Sequence, residues 1–448
     1  MLESPEERPP SKVLRAGPRT KIGVRFAINI WGYNYSTIPA NAINLSVINS
    51  SSFSVEFLSN PSLVNVDTNA FVSIKGGITS LWLYNGGIQE IPFEVLLNTD
   101  FACVDGVGPD ISFQFNKISR VPENQFERLM EKIGCSFGNI YLGQNNIQNL
   151  TDGSFSNLII ANSLDLTGNQ ITQISSGAFQ NISIGYQLQL GYNNITDIDP
   201  EAFEMATIDT LTLSYNQLIE IPYEAVTKIN LTGDRMLQLD HNLIVNIHPE
   251  KFNVMLDGIG RSSISIDLSS NQITVLKQGV FRDLDNSWIG LMENKIIEME
   301  SESFYNVDFN SIFFLVLAEN VTFANDTFRA PVSFESYDIS IGQQKIDQPS
   351  SACILSNDSI PNICGNLQLS ISNIFYMENY CPDILQNLAC FNRITLSINL
   401  PGGDPKKQNF TYLGTIPSTI TPLNSIELHT NPSSSGICFD GNKKDPPR

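Results

Sequence analysis

The 448-residue chain is poor in positive charge: 26 lysines and arginines stand against 46 aspartates and glutamates, a formal net charge of −20. That balance argues against nucleic acid or an anionic membrane as partner, since both are held through basic patches. Charged residues of either sign make up 16% of the chain, where soluble domains usually carry about 25%. Asparagine, serine and threonine fill the gap. Histidine is rarer still, at three residues, and His241 and His248 bracket one turn as solvated loop residues do. No stretch of apolar residues is long enough to span a bilayer. The polar end from Gly441 to Arg448 is no lipid-anchor signal. Met1 to Lys21, charged and proline-rich, lacks the apolar centre of a secretory leader.

Catalytic signatures are also missing. The chain has no H-E-x-x-H, G-x-S-x-G, phosphate loop or dinucleotide fingerprint, and Gly106-Val-Gly108 lacks the third glycine such a loop needs. Acidic pairs such as Asp199 with Glu201 and Glu300 with Glu302 have no histidine beside them in sequence and read as a solvated surface. No enzyme, cofactor or metal site is expected.

What the chain has is a period. Leu164-Asp-Leu166-Thr-Gly-Asn169-Gln-Ile171 has the form L-x-L-x-x-N-x-I, and it recurs at Leu188–Ile195, Leu211–Leu218, Leu237–Ile244, Ile266–Ile273 and Ile289–Ile296. An apolar residue follows five past each Asn (Ile174, Ile198, Ile221, Ile247, Leu276, Met299). Another stands ten past it (Phe179, Phe203, Val226, Phe252, Phe281, Phe304). Extending the template places the Asn slot at 33, 61, 86, 116, 145, 169, 193, 216, 242, 271, 294 and 320, in steps of 23 to 30 residues. Weaker copies follow at Ile339, Leu367, Ile394 and Ile426. Repeats of this length are single supersecondary units that bury their apolar face only by stacking.

In L-x-L the two leucines point to one side of a short strand and the intervening residue to the other. The Asn amide, at the corner after the strand, can both donate to and accept from buried backbone groups. The motif resembles the leucine-rich-repeat family over residues 26 to 330. That resemblance implies a β-rich α/β solenoid, a curved horseshoe with a parallel concave sheet and irregular convex return segments. Residues 1–25 are expected to be a disordered lead-in, 331–435 degenerate repeats or a cysteine-containing cap, and 436–448 a disordered tail. More broadly the chain looks like the ectodomains of Toll-like receptors, Slit and related matrix proteins. In texture it is also similar to the non-catalytic leucine-rich-repeat subunit of shrimp luciferase and its arthropod relatives.

Seven cysteines occupy informative places in the repeat. Cys103 and Cys135 lie on the return segments of successive coils, and coils about 5 Å apart suit the geometry of a bridge. Cys353 with Cys381, and Cys364 with Cys390, hold matching offsets, which favours those two rungs over the local pairs Cys353–Cys364 and Cys381–Cys390. Cys438 is left over. Cysteines gathered after the last good repeats resemble the C-terminal cap of extracellular members, although the spacing differs and no cysteine-rich N-terminal cap precedes the repeats. Among the N-x-[ST] sequons, Asn149, Asn181 and Asn230 sit on return loops suited to N-glycosylation, whereas Asn320 occupies a ladder slot. Bridges and sequons together point outside the cell, with the leader then upstream of this sequence.

The residue between the two strand leucines gives an outward row: Asn29, Phe57, Trp82, Ser112, Tyr141, Asp165, Gln189, Thr212, Gln238, Asp267 and Gly290, among others. The next row contributes Trp31, Tyr84, Asp240 and Met292. Large aromatics on a water-facing sheet are typical anchors of protein interfaces. Phe57, Trp82, Tyr84 and Tyr141 are therefore candidate anchors, with Asp165, Gln189, Gln238, Asp240 and Asp267 as polar contacts. The expected function is extracellular protein binding or scaffolding on this face, without catalysis. The alternative is an intracellular leucine-rich-repeat adaptor.

Overall fold

A computed structural model describes residues 27–307 in backbone and side chain, apart from 32–33, 44–51 and 73–75, with Ser52 in backbone only. Beyond these it describes backbone only, at 13–16, 25–26, 308–317, 322–323, 328–341, 366–372, 393–399 and 425–430. The chain forms two units, Met1–Leu218 with Pro222–Met236, and Ile219–Ile221 with Leu237–Arg448.

In the first unit each coil contributes one strand to a parallel sheet. Arg25–Trp31 pairs with Ser52–Leu58, then come Ile78–Tyr84, Asp110–Ser112, Ile140–Tyr141, Ser163–Asp165, Ser183–Gln189 and Thr207–Thr212. Register follows the L-x-L pattern: Leu81 stands beside Ile111, Ile111 beside Ile140, and Ile140 beside Leu164. All four are fully buried. A slip of one residue would turn each of these inward chains to water, so the pattern pins the pairing.

Opposite the sheet, the return segments carry the second apolar column. Phe126, Phe155, Phe179 and Phe203 are fully buried and stack ring on ring at 5.3–5.6 Å. Short parallel strands run beside this column: Asn149–Leu150, Gln173–Ile174 and Asp197–Ile198 pair in register, with Leu150, Ile174 and Ile198 inward. Where the return is longer, it coils into a helix. Gln125–Ile133 buries Phe126 and Leu129 and ends at Gly134, whose left-handed backbone (φ 75°) suits a residue without Cβ.

The Asn slot behaves as its chemistry dictates. Asn169 Nδ2 donates to Leu142 O (3.0 Å) and Leu166 O (2.9 Å), while its Oδ1 accepts from Ile147 N (3.1 Å). Asn116, Asn145, Asn193 and Asn216 repeat the same set. Gly86 holds this slot in its own coil because a Cβ there would come within 2.6 Å of Asn116 Oδ1.

The second unit repeats the scheme. Ser265–Asp267 pairs with Phe281–Gly290, and Asn271 and Asn294 serve the ladder. Phe252, Phe281 and Phe304 form its buried ring column. The strands Phe328–Ile341, Asn366–Ser372, Arg393–Asn399 and Ser425–Thr430 continue in parallel. Their register aligns Tyr337 and Ile339, rather than Ile339 and Ile341, with Leu367 and Leu369.

Two expectations are corrected. Val13–Ala16, within the stretch expected to lack structure, forms a strand antiparallel to Arg25–Trp31. A parallel sheet leaves its first strand with unpaired backbone groups, and this strand covers them. In the second coil the repeat is one residue out of the expected frame. Val55 and Phe57 point inward, the ladder residue is Asn60 rather than Pro61, and Glu56 takes the outward position beside Trp82. Proline has no amide to hold a corner, whereas Asn60 Nδ2 donates to Tyr35 O at 3.0 Å.

Candidate binding face

The candidate site is the exposed face of the first unit's sheet. Its central row runs Glu56, Trp82, Ser112, Tyr141, Asp165, Gln189 and Thr212, each the register partner of the next. Phe57 does not belong to it: the ring is buried and lies 6.0 Å from Phe71 in the core.

Trp82 and Tyr141 are two coils apart, yet their rings meet edge to face, with centroids 6.2 Å apart. They do so because the coil between them offers only a serine. Ser112 is 1% exposed, and neither its hydroxyl nor the Trp82 Nε1 has a hydrogen-bond partner. Tyr84 lies in the neighbouring row, its ring 5.0 Å from Phe115. Asp165 is buried, its Oδ1 accepting from Thr167 N and its Oδ2 from Gln114 Nε2 at 2.6 Å. Gln114 reaches it across Gly143, where a Cβ would stand 2.9 Å from Asp165 Oδ2. Burial, then the charges of Asp110 and Asp165, hold the Tyr141 phenol above its usual range. Gln189 donates to Gln187 Oε1 at 2.7 Å.

In the second unit Gln238 and Asp267 end their strands, and Asp240 lies two residues past Gln238. Asp267 Oδ1 accepts from Ser269 N, as Asp165 does from Thr167, and Asp240 meets His241 Nδ1 at 2.9 Å. Asn149, Asn181 and Asn230 are all exposed. The Cys103–Cys135 bridge is formed, with Cα atoms 6.3 Å apart. Cys353, Cys364, Cys381, Cys390, Cys438 and Asn320 lie outside the described residues.

A second feature of the face was not legible as a site in the sequence. The residue just before each ladder slot is left-handed, including Phe115, Gln144, Tyr192, Tyr215, His241, Ser270 and Glu293. Exposed Tyr192 and Tyr215 stack there at 4.2 Å with ring planes 9° apart. Positive φ at a tyrosine is uncommon, so the corner is imposed by the coil rather than chosen by the residue. The only signal in the sequence was the recurrence of the position itself.

Nothing among the described residues assembles catalytic chemistry. No group of three histidine, cysteine or acidic side chains stands close enough to hold a metal ion there. One depression of about 740 Å³ lies on the return segments, lined by Val64, Ile88, Phe93, Glu90 and Glu94 among others, with no histidine or cysteine. No described helix is long and apolar enough to cross a membrane.

Part of the chain is similar to known leucine-rich-repeat proteins. The family description "Leucine rich repeat" matches residues 138–184 and 186–244. "Leucine-rich repeats and immunoglobulin-like domains protein 2" from Mus musculus is 34% identical over 104 residues, 23% of this chain and 9% of that protein. Its Homo sapiens counterpart is 32% identical over 106 residues, again 9% of its length. Among solved structures, the Drosophila Toll–Spatzle complex covers 76% of this chain and 46% of its own, at 13% identity and TM-score 0.46. A Bacteroides thetaiotaomicron leucine-rich-repeat protein covers 86% and 49%, at 15% identity and TM-score 0.47. Residues 138–184 and 186–244 thus match the leucine-rich-repeat family, and the fold is a solenoid of that type.

Proposed function

We propose that this protein is a non-enzymatic, extracellular binding or scaffold protein that holds a protein partner on its exposed sheet face. The observation that carries the reading is the contact of Trp82 with Tyr141 in a row whose other members, Glu56, Ser112, Asp165, Gln189 and Thr212, are polar. Two half-buried aromatics held rigidly together offer a partner apolar area with little loss of side-chain freedom. Tyr84 extends that patch, and Asp165 and Gln189 supply polar contacts beside it; Gln238, Asp240 and Asp267 are polar contacts of the second unit taken by itself. The bridge between Cys103 and Cys135 supports an oxidising compartment. Exposed sequons at Asn149, Asn181 and Asn230 are in keeping with it.

Two measurements test this. Protein secreted from cultured eukaryotic cells should shift in gel mobility after glycosidase treatment and yield a linked peptide pair containing Cys103 and Cys135. An unglycosylated product with free thiols at both positions would instead support an intracellular adaptor. Capture of partners from extracellular fluid by the native chain and by a Trp82→Ala/Tyr141→Ala variant tests the face. Equal recovery by both would remove the aromatic patch from consideration.

A further inference from the structure

Three observations converge around Trp82. The first is charge. Across the three outward rows of the first unit, the described residues include Glu56, Asp110 and Asp165 and no lysine or arginine. None of the three carboxylates forms an ion pair. Glu56 is the register partner of Trp82, Asp165 that of Tyr141, and Asp110 lies two residues before Ser112 on the intervening strand. Burial first, and then the charges of Asp110 and Asp165, raise the Tyr141 phenol.

The second is the pair of aromatic rings, held edge to face and both half-buried. The third is hydrogen bonding. Ser112 Oγ, 1% exposed and on the outward row between the two rings, has no partner, and neither has Trp82 Nε1. Buried polar atoms normally find partners, and those that lack them in the unbound protein are ready to take one from a ligand.

We propose that Trp82, Ser112 and Tyr141, flanked by Glu56, Asp110 and Asp165, form a seat for an arginine side chain on a basic segment of the protein partner. The inference rests on the reading that the sheet face binds a protein, and adds the chemistry of what it binds. A guanidinium stacks on an aromatic face while donating in its own plane. It therefore meets the ring, the Ser112 oxygen and a carboxylate together, which the compact ammonium of lysine does less well. A backbone carbonyl of the same segment accepts from Trp82 Nε1. An anionic segment is repelled by three uncompensated carboxylates. A neutral sugar would use the rings but gain nothing from the acids.

The test uses the full chain with Trp31→Phe and Trp288→Phe, so that Trp82 alone reports by fluorescence. The probes are a Gly/Ser peptide carrying three arginines and its counterpart with neutral citrulline. The arginine peptide should bind saturably, and the citrulline peptide about tenfold or more weaker, given the strength of desolvated cation–π and charge contacts. Glu56→Gln with Asp110→Asn should weaken the arginine peptide by about tenfold and leave the citrulline peptide unchanged. Trp82→Phe, read by calorimetry, should weaken it several-fold, since indole is the better cation–π partner. An unchanged thermal midpoint keeps these variants interpretable.

Equal binding of the two peptides, lost in Trp82→Ala, would overturn the arginine seat while leaving the binding face standing. Arginine binding indifferent to every substitution would place the attraction in net charge elsewhere and overturn the seat. Absence of saturable binding by the arginine peptide would also overturn it. Equal binding of both peptides, indifferent to Trp82→Ala/Tyr141→Ala, would count against the face itself.

Discussion

Trp82 and Tyr141 touch edge to face over Ser112, a contact between coils that are not neighbours. The intervening coil sets it: any large residue at position 112 would wedge the rings apart. The pair should couple in a double-mutant cycle. Trp82→Ala and Tyr141→Ala together should cost less stability than the sum of the two singles, by about 0.5–1.5 kcal/mol. Urea unfolding followed by far-ultraviolet circular dichroism measures this, and additive single effects would refute the contact. Ser112→Leu should abolish the coupling.

The second coil supplies a sharper contrast between adjacent residues. Phe57 is buried against Phe71, whereas Glu56 faces outward beside Trp82. Phe57→Ala should therefore destabilise by about 3–5 kcal/mol, as a buried phenylalanine does. Glu56→Ala should stay within about 0.5 kcal/mol. Thermal unfolding of the two variants decides the register, since a frame shifted by one residue reverses the order of the effects.

That coil also marks where the sequence stops being readable. From Asn116 to Asn294 the leucines, asparagine and phenylalanine agree on one frame, so strand, corner and core column could be placed residue by residue. Around residue 57 the apolar residues Phe53, Val55, Phe57 and Leu58 fit two frames, and the ladder residue could be read as Pro61 or Asn60. Side-chain alternation is binary, so a one-residue error moved Phe57 from core to surface. The Cys103–Cys135 bridge was legible because both cysteines hold a place relative to good slots. The Trp82–Tyr141 contact was not, because it depends on Ser112 being small and on how far each ring leans along the sheet. Nor was Gln114 spanning Gly143 to Asp165, which needs three coils to be placed at once.

The ladder makes its own prediction. Asn169→Ala would strand the amide of Ile147 in the buried corner and take one donor each from the carbonyls of Leu142 and Leu166, which keep Asn145 and Asn193. An unpaired buried amide costs about 1–3 kcal/mol, so the loss should be of that order. Gln170→Ala, one residue on and exposed, should be near neutral. Amide exchange at Ile147 should quicken in the first variant alone. Equal protection in both would mean that the asparagine column is decoration rather than scaffold.

Tyr141 carries a signature in its titration. Its phenol is held above the ordinary value of 10.0, first by burial and then by Asp110 and Asp165. Both causes oppose a negative phenolate, so the folded chain keeps this proton where the unfolded chain has released it. Stability from this group is fully present below pH 10.0, the unfolded value. It is lost as the pH rises through the higher folded value, because in that window the unfolded state binds fewer protons. Absorbance at the phenolate band should show a late-ionising tyrosine that disappears in Tyr141→Phe. Asp110→Asn removes one opposing charge and should bring that ionisation to lower pH without abolishing the delay, since burial is the larger cause. If Asp110→Asn leaves that ionisation at the same pH, Asp110 does not face the ring, and the acidic seat drawn around Trp82 and Tyr141 loses one wall.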